Sequence, residues 1–258
     1  MFFQIIESSS SGNSSFLECD GVRILIDAGV GITKIKNFLN SRNLKLNDLD
    51  GVFITHDHSD HFSSLKSFEN SGVKIYANRP TAEGVQYKSP RTKNLNWNLF
   101  ETGCQFDFYG IDVLTFSIPH DTSDPVGFSF YHNNTRLVYI TDIGKPTHSI
   151  RDIVSSADIL VLESNYCPVM LQRSTRPQYL KNRIMSSCGH LSNADAIDVL
   201  HHCNSNVKRI YLSHISRECN NIDHINNLLL SSDLDATLLD KVEIVSPFST
   251  LSSCFEIL

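Results

Sequence analysis

The hydrophobic and polar positions follow different patterns in the two halves of the chain. In the first half, short apolar runs bounded by polar residues are typical of strands, and one longer stretch repeats its apolar positions with helical spacing. That stretch predicts a helix over about 32–42, with Ile32, Ile35, Phe38 and Leu39 on one face. The strands are predicted over 2–7, 16–19, 22–26, 51–55, 74–77, 111–118, 127–132 and 135–141.

Two polar stretches of the first half are predicted to be turns. Ser8–Ser15 is rich in serine, glycine and asparagine and is expected to join the first two strands. Asn133-Asn134 lies between two strand-like runs and has the composition of a hairpin turn.

The second half alternates predicted strands over 159–162, 209–212 and 242–245 with predicted helices over 168–186, 193–202 and 223–230. Ser192 and Asp195 form the capping box expected at the start of one helix. A strand-rich start followed by β-α-β units suits a layered α/β fold with two sheets inside and helices outside. No repeat or long linker divides the chain, and we predict a single domain over residues 1–258.

Composition places the chain among ordinary globular proteins, with 41% hydrophobic and 19% charged residues. No apolar stretch approaches the length that a bilayer requires, and the short apolar run at the N-terminus has no basic region before it. The seven cysteines form no Cys-x-x-Cys pair, which favours reduced thiols. We therefore expect a cytoplasmic protein without a membrane partner.

The charge distribution leaves room for a local cationic groove. A net charge of −6 argues against a broad surface that coats nucleic acid, but residues 164–194 contain no acidic side chain. Such a run is often only a solvated helix face; its proximity in sequence to His190 favours a role in holding a phosphate backbone. The candidate substrate-binding residues are Arg173, Arg176, Lys181 and Arg183.

The densest cluster of chemically active side chains is His56-Asp57-His58-Ser59-Asp60-His61, directly after an apolar strand. Adjacent imidazoles gain no packing advantage on a loop and repel when protonated, whereas a metal ion binds their neutral nitrogens. His56 and His58 can project together, while Asp60 and His61 point to a second position. The run therefore predicts a metal site at the carboxyl end of a strand.

His-x-His-x-Asp-His after a buried strand resembles the signature of the metallo-β-lactamase superfamily. Other motifs resemble that family in chain order: Asp27 like an aspartate that supports the histidine loop, and His120, Asp142 and His214 like its remaining metal ligands. The resemblance implies a four-layer αββα sandwich that holds two divalent metal ions. It assigns His56, His58 and His120 to one ion, Asp60, His61 and His214 to the other, and Asp142 to both. Nitrogen and oxygen ligands without sulfur suit zinc, the first choice, and also manganese or iron.

The motifs Ser-Gly-Asn-Ser, Leu-Glu-Ser-Asn and Gly-His-Leu-Ser-Asn resemble the bacterial WalJ (YycJ) subgroup, which implies an exonuclease-like activity. Glu163 and His190 also resemble the glutamate–histidine pair of the tRNA 3′-processing ribonuclease Z, in which the histidine assists the leaving group. Only 58 residues separate His61 from His120, too few for the substrate arm of that enzyme.

Together these expectations predict that the protein is a dinuclear phosphodiesterase, a nuclease that acts on DNA or RNA through a metal-bound hydroxide. Asp60 and Glu163 are assigned to the catalytic set, with His190 as the general acid. The alternatives are a small-molecule hydrolase, either a cyclic phosphodiesterase or a thioesterase like glyoxalase II, and a non-enzymatic metal-binding module. The basic stretch favours the polymer substrate, and the oligomeric state stays open.

Overall fold

The computed structural model describes residues 1–248 and 251–257 of the chain. Its strands are β1 Phe2–Ser9, β2 Gly12–Cys19, β3 Val22–Ile26, β4 Gly51–Phe53, β5 Lys74–Asn78, β6 Asn96–Phe100, β7 Gln105–Phe108, β8 Ile111–Ser117, β9 Val126–His132, β10 Thr135–Ile140, β11 Ile159–Glu163, β12 Arg209–Ser213, β13 Val242–Ile244 and β14 Phe255–Glu256. Its helices are α1 Ile32–Ser41, α2 Ser59–Phe62, α3 Arg79–Lys88, α4 His148–Val154, α5 Pro168–Arg173, α6 Gln178–Ile184, α7 Asn193–Leu200, α8 Ile222–Ser231 and α9 Ala236–Leu239. None of the helices in this part of the chain has the length and apolarity that a bilayer crossing requires.

These elements form two compact units, and the chain leaves the first unit and returns to it. Unit 1 consists of Met1–Ser117, Thr122–Val126 and the described C-terminal residues 251–257. Unit 2 consists of Ile118–Asp121 and Gly127–Phe248. The single domain expected over residues 1–258 stays a prediction.

Unit 1 contains a mixed sheet with the strand order β14-β1-β2-β3-β4-β5-β6. The strands β1, β2 and β3 pair antiparallel, whereas β3, β4, β5 and β6 pair parallel to one another. Adjacent parallel strands end at the same edge of a sheet, so the segments after β3 and β4 start side by side. Those segments carry Asp27 and the run His56–His61.

The core of unit 1 fixes the end of β4, the strand that leads into the histidine run. The Phe53 ring stacks on Tyr76 with centroids 4.8 Å apart and meets the edge of Phe108, in the hairpin of β7 and β8, at 5.2 Å. Each such aromatic pair contributes about 0.5–1.5 kcal/mol beyond the area that it buries. The backbone before the histidines therefore has little freedom to shift.

Unit 2 contains the strands β13-β12-β11-β10-β9 in that order. The hairpin between β9 and β10 turns at Asn133 and Asn134, whose φ angles of 46° and 58° confirm the predicted tight turn. From β10 to β13 the pairing is parallel, with α4 to α9 in the connections. The carboxyl ends of β10, β11 and β12 therefore lie next to one another, at Asp142, Glu163 and His214.

Most predicted strands and helices are confirmed to within a residue or two at each end, and Ser192 caps α7 by accepting from the Asp195 backbone N–H at 3.1 Å. The turn expected over Ser8–Ser15 does join the first two strands, but it is confined to residues 10 and 11, because the other residues belong to β1 and β2. The Asn13 side chain explains the difference. Its Oδ1 accepts from Ser8 Oγ at 3.0 Å and from Ser9 N at 3.1 Å, which satisfies polar groups inside the strand pair.

The single helix expected over 168–186 is two helices, α5 and α6. Pro177 stands at the break. A proline has no backbone N–H to donate, and it disfavours helical backbone angles at the residue before it. The helix α3, by contrast, was not predicted, although Asn78 caps it by accepting from Thr81 N at 3.0 Å.

Candidate metal centre

The histidine run of unit 1 leaves β4 and turns into the short helix α2. His56 and His61 are fully buried, and their ring centroids lie 4.0 Å apart. The His58 ring meets that of His56 edge-on at 4.9 Å, and Asp60 Oδ2 lies 3.5 Å from His61 Nε2. The four predicted ligands of this run are therefore brought together on one side of the loop.

Asp27 orients this loop from the neighbouring strand end. Its Oδ2 accepts from His61 Nδ1 at 2.7 Å, and its Oδ1 accepts from the Thr55 backbone N–H at 2.9 Å. Burial raises the pKa of the Asp27 carboxyl, against the opposing effects of His61 and Thr55. Because a carboxylate only accepts hydrogen bonds, this contact places the His61 proton on Nδ1 and leaves the Nε2 lone pair for a metal ion.

Asn13, in the Ser-Gly-Asn-Ser motif, also contacts this loop, although it was not among the predicted site residues. The Asn13 amide nitrogen lies 3.2 Å from Asp60 Oδ2 and 3.1 Å from His61 Nε2. It reaches these atoms from β2, where Asn13 is fully buried. Asn13 thereby fixes the relative position of two predicted ligands.

Glycine is required where the segment after β3 meets the histidine loop. A Cβ on Gly29 would stand 1.5 Å from the carbonyl oxygen of Asp60, which is backbone and cannot rotate away. The same close approach lets Ala28 N donate to His61 O at 2.7 Å. Gly29 thus permits the contact that seats the histidine loop.

Replacing Gly29 with alanine is expected to lower the free energy of unfolding by about 1–3 kcal/mol or more, because the added methyl group overpacks a backbone contact. Urea unfolding with linear extrapolation measures the change. Gly31→Ala is the matched control, since a Cβ there meets nothing within 4 Å, and we expect a loss below about 1 kcal/mol. Equal stability of the Gly29 and Gly31 variants would contradict the close approach.

In unit 2, two predicted ligands lie beside the carboxylate of a third. Asp142 Oδ1 is 3.3 Å from His214 Nδ1 and 3.7 Å from His120 Nε2. All three residues are buried. His120 Nδ1 donates to the carbonyl oxygen of Gly189 at 2.9 Å, so its Nε2 keeps the lone pair on the side of Asp142.

Glu163 is shared by two histidines of unit 2. Its Oε1 accepts from His190 Nδ1 at 2.8 Å and from His214 Nδ1 at 2.7 Å, while its Oε2 accepts from the backbone N–H groups of Ile143 and Leu191 at 2.8 and 3.0 Å. Burial alone would raise the pKa of Glu163, but His190 and His214 outweigh it and the pKa is lowered. Glu163 therefore stays a carboxylate and orients both rings.

The environment of His190 differs from that of a buried structural histidine. Its side chain is 22% exposed, and Asp142 Oδ1 lies 3.6 Å from its Nδ1. Burial would lower the pKa of His190, but the carboxylates of Glu163 and Asp142 raise it overall. The Nδ1–H donates to Glu163, so the Nε2 atom is the one left to exchange a proton with a substrate.

Three site residues have the left-handed backbone conformation that side chains rarely adopt. Asp27, Asp142 and His214 have φ angles of 59°, 52° and 53°, and each follows the end of a parallel strand by one or two residues. This conformation costs about 1–3 kcal/mol at a residue other than glycine and persists where the surroundings hold it. The chain therefore turns away from the strand direction at each of these site residues.

The clustered atoms suit a divalent cation. In unit 2, Asp142 and His214 are predicted ligands within a cluster of His, Asp and Glu side chains whose atoms lie within 4.8 Å of one another, and Glu163 orients the His214 ring there. The Nδ1 atoms of His61, His120 and His214 all donate to oxygen, which is the usual way a protein orients a metal-binding imidazole through its Nε2. The donor set of nitrogen and carboxylate oxygen therefore fits the metal chemistry expected from the sequence.

A family model described as a β-lactamase superfamily domain matches residues 22–215. The chain belongs to this superfamily. The resemblance inferred from the motifs is confirmed, as is the prediction that the protein is a hydrolase with a metallo-β-lactamase-like α/β fold. Superfamily membership and the His/Asp clusters together indicate divalent metal ions.

This superfamily member is similar in sequence to other proteins over most of its length. It is 34% identical over 236 residues to the exodeoxyribonuclease WalJ of Streptococcus pneumoniae serotype 2 (strain D39 / NCTC 7466), covering 90% of this chain and 87% of that protein. It is 30% identical over 240 residues to the exodeoxyribonuclease YycJ of Bacillus anthracis, with 91% and 89% covered. The solved structure of the metallo-β-lactamase fold protein YhfI from Bacillus subtilis matches 99% of each chain with a TM-score of 0.73 at 14% identity, which supports the fold alone.

The prediction of a cationic groove over residues 164–194 needs correction. Lys181 is buried, and its Nζ donates to the carbonyl oxygen of Gln172 at 2.7 Å, so it joins α6 to α5 instead of facing a substrate. Arg176 pairs with Glu218 at 2.8 Å, and Arg183 pairs with Asp121. These acidic partners lie in distant parts of the sequence, which is why the basic run itself showed no carboxylates to balance its charge. Arg173 is exposed.

Gly189, the residue before His190, is required by a close backbone contact. A Cβ there would stand 2.2 Å from the carbonyl oxygen of Ile184, at the end of α6. The glycine is thus required for a close backbone contact within unit 2, and it brings the Gly189 carbonyl to His120. This contact bears on the placement of His120 and His190, and not on direct approach to a ligand.

Proposed function

We propose that this protein is a metal-dependent phosphodiesterase of the exonuclease type that removes nucleotides from DNA ends. The two relatives described above are named exodeoxyribonucleases, and each aligns with about nine-tenths of this chain. The oriented histidines and carboxylates support the hydrolytic chemistry, and a phosphodiester is the linkage that such an enzyme cleaves. DNA is preferred over RNA because of the relatives' activity.

Seven side chains are proposed to hold two divalent ions. They are His56, His58, Asp60, His61, His120, Asp142 and His214. When bound, such ions activate water and neutralise charge on the phosphate oxygens. The proposal is supported by superfamily membership and by the three hydrogen bonds that occupy the Nδ1 atoms of His61, His120 and His214 and leave their Nε2 atoms as the ones to bind a metal ion.

The chain's own residues account for the protons and the geometry. The Asn13 amide holds the carboxylate of Asp60, which is proposed both as a metal ligand and as a member of the catalytic set. His190 is proposed to donate its Nε2 proton to the leaving 3′ or 5′ oxygen of the cleaved ester, since an alkoxide is a poor leaving group in water. Glu163 holds the His190 ring in the orientation that this transfer needs.

The observation that carries the proposal is the sharing of Glu163. One buried carboxylate oxygen accepts from a predicted metal ligand, His214, at 2.7 Å and from the partly exposed His190 at 2.8 Å. A site that only bound metal would have no need for the second, solvent-accessible imidazole. A leaving-group acid fixed to the same carboxylate as a metal ligand is suited to hydrolysis of an ester with a basic leaving group.

The test is hydrolysis by the metal-reconstituted enzyme of end-labelled DNA and RNA strands, with bis(p-nitrophenyl) phosphate and a thioester assayed beside them. We expect stepwise shortening of DNA from an end, turnover of the aryl phosphodiester, and loss of both activities when a chelator removes the metal. Zinc, manganese and iron are compared in the reconstitution. Turnover of the thioester alone would replace the proposal with a small-molecule thioesterase.

A further inference from the structure

A second basic stretch lies in unit 1, outside the run 164–194. Residues 79–94 contain four cationic side chains and a single carboxylate, Glu83, in a chain whose net charge is −6. Glu83 approaches Arg79, its neighbour one helical turn before, at 3.9 Å. The positive excess of this segment therefore comes from Lys88, Arg91 and Lys93.

This segment is anchored directly to the histidine loop. Lys88 Nζ, at the end of α3, donates to Asp57 Oδ2 at 2.6 Å and to the Asp57 carbonyl oxygen at 2.7 Å. A Cβ on Gly84 would stand 2.3 Å from Asp57 Oδ2, so α3 packs against the loop as closely as a glycine allows. Asp57 is the residue between His56 and His58. The segment 79–94 therefore contacts the residue that lies between two proposed metal ligands.

Three side chains near Lys88 in this segment face solvent. Tyr87 is 86% exposed, and Arg91 and Lys93 are exposed as well. Neither of the last two forms an ion pair among the residues that the structure describes. Both contrast with Arg176 and Arg183, whose carboxylate partners already occupy them.

The backbone that carries these side chains is held in place. Thr92, between Arg91 and Lys93, is fully buried, and its Oγ1 donates to the Ser89 carbonyl oxygen at 2.7 Å. The Thr92 carbonyl oxygen accepts from Trp97 Nε1 at 2.8 Å. The two cations therefore project from a fixed turn, so binding a ligand does not require the turn to be ordered first.

We propose that Tyr87, Arg91 and Lys93, here called the 87–93 surface, bind single-stranded nucleic acid next to the histidine loop. This inference rests on the proposed function and adds where the strand is held. Two cations without acidic partners complement backbone phosphates. The exposed tyrosine ring in the same segment offers a stacking platform for an unpaired base, which a duplex does not present.

The experiment measures binding of a fluorescein-labelled single-stranded oligodeoxynucleotide to the full-length, metal-loaded protein by anisotropy at several salt concentrations. Phosphorothioate linkages slow its hydrolysis, and a duplex of the same sequence is measured in parallel. The variants are Tyr87→Ala and the double variant Arg91→Ala/Lys93→Ala. The matched controls in unit 1 are Tyr109→Ala, another exposed tyrosine, and Lys36→Ala/Lys45→Ala, another exposed cation pair.

Tyr87→Ala is expected to weaken single-strand binding by about 5- to 100-fold and to leave the salt dependence unchanged, because stacking releases no counterions. The double variant is expected to reduce the slope of log affinity against log salt by about 1.4, since each phosphate contact to a single strand contributes about 0.7. The control variants should bind like the wild type. Melting temperature and metal content check that each variant is folded and loaded.

Wild-type affinity and salt slope in both variants would overturn the 87–93 surface, even if the enzyme degrades DNA. An equal loss of duplex and single-strand binding in Tyr87→Ala would also overturn the stacking role. Failure of the wild type to hydrolyse either DNA or bis(p-nitrophenyl) phosphate, with binding still lost in the variants, would refute the proposed function and leave the surface standing. The two proposals therefore fail separately.

Discussion

Replacing His58 with alanine is expected to abolish hydrolysis of both DNA and bis(p-nitrophenyl) phosphate. His58 is one of the imidazoles proposed to hold the first metal ion, and it meets the His56 ring at 4.9 Å within the same loop. A metal site that loses one of its few ligand atoms loses affinity, and the chemistry that the ion supplies is lost with it. Both substrates depend on that ion, so both activities should disappear.

The metal content of the purified variant, measured by elemental analysis, is expected to fall below that of the wild type. His202→Ala is the matched control, because His202 is an exposed histidine at the end of α7, outside the proposed ligand set. It should retain both its metal and its activity. A His58 variant that kept full metal content and full turnover would remove His58 from the ligand set.

The second large effect is a difference between substitutions at His190 and at Glu163, two residues that are hydrogen-bonded through Glu163 Oε1. His190→Ala is expected to lower turnover of DNA by about 10²–10⁴-fold, the usual contribution of a positioned general acid. The metal content should stay near that of the wild type, because His214 keeps its own contact with Glu163 at 2.7 Å. Turnover of bis(p-nitrophenyl) phosphate should change far less, since p-nitrophenolate is a weak base and leaves without a proton.

Glu163→Gln is expected to affect both processes. The carboxylate accepts four hydrogen bonds, and an amide in its place has a single acceptor oxygen, so either the two histidines or the two backbone N–H groups of Ile143 and Leu191 would face an NH₂ group. Metal affinity should fall by about 10- to 100-fold, as is usual when the partner of a metal-binding histidine is lost.

Titration with a metal-sensitive dye, together with steady-state kinetics on both substrates, distinguishes the two variants. His148→Ala, an exposed histidine on α4, is the control for His190. Loss of metal from His190→Ala would refute its role as an acid and make it a ligand. Equal losses on DNA and on the aryl ester would likewise refute leaving-group protonation.

The sequence was informative where a function needs several residue types close together along the chain. His56–His61 places its imidazoles and carboxylates within one loop, so their spacing alone predicted a metal site. Strands such as β3, β10 and β11 consist mostly of buried apolar residues, and these were predicted nearly to the residue. The superfamily follows from the same motifs.

The sequence was misleading where the deciding partner lies far away in the chain. The run 164–194 looked cationic because its acids, Glu218 and Asp121, lie outside it, and Lys181 looked exposed because nothing local reveals its burial. Ser8–Ser15 looked like a turn because polar residues usually avoid strands. Asn13 satisfies those polar groups from within the strand pair, which composition does not show.

By itself, then, the sequence determined the fold class, the kinds of atoms available to a metal ion, and the residues that carry them. Only the tertiary structure decided how those atoms are aimed: Asp27, Asp142 and His214 turn at left-handed backbone positions, and Glu163 serves two histidines with one oxygen. The physical reason is the separation along the chain of the residues that interact. Periodicity and motif spacing report interactions between neighbours in the chain, whereas orientation depends on hydrogen bonds between residues tens of positions apart, which form only when the strands have paired.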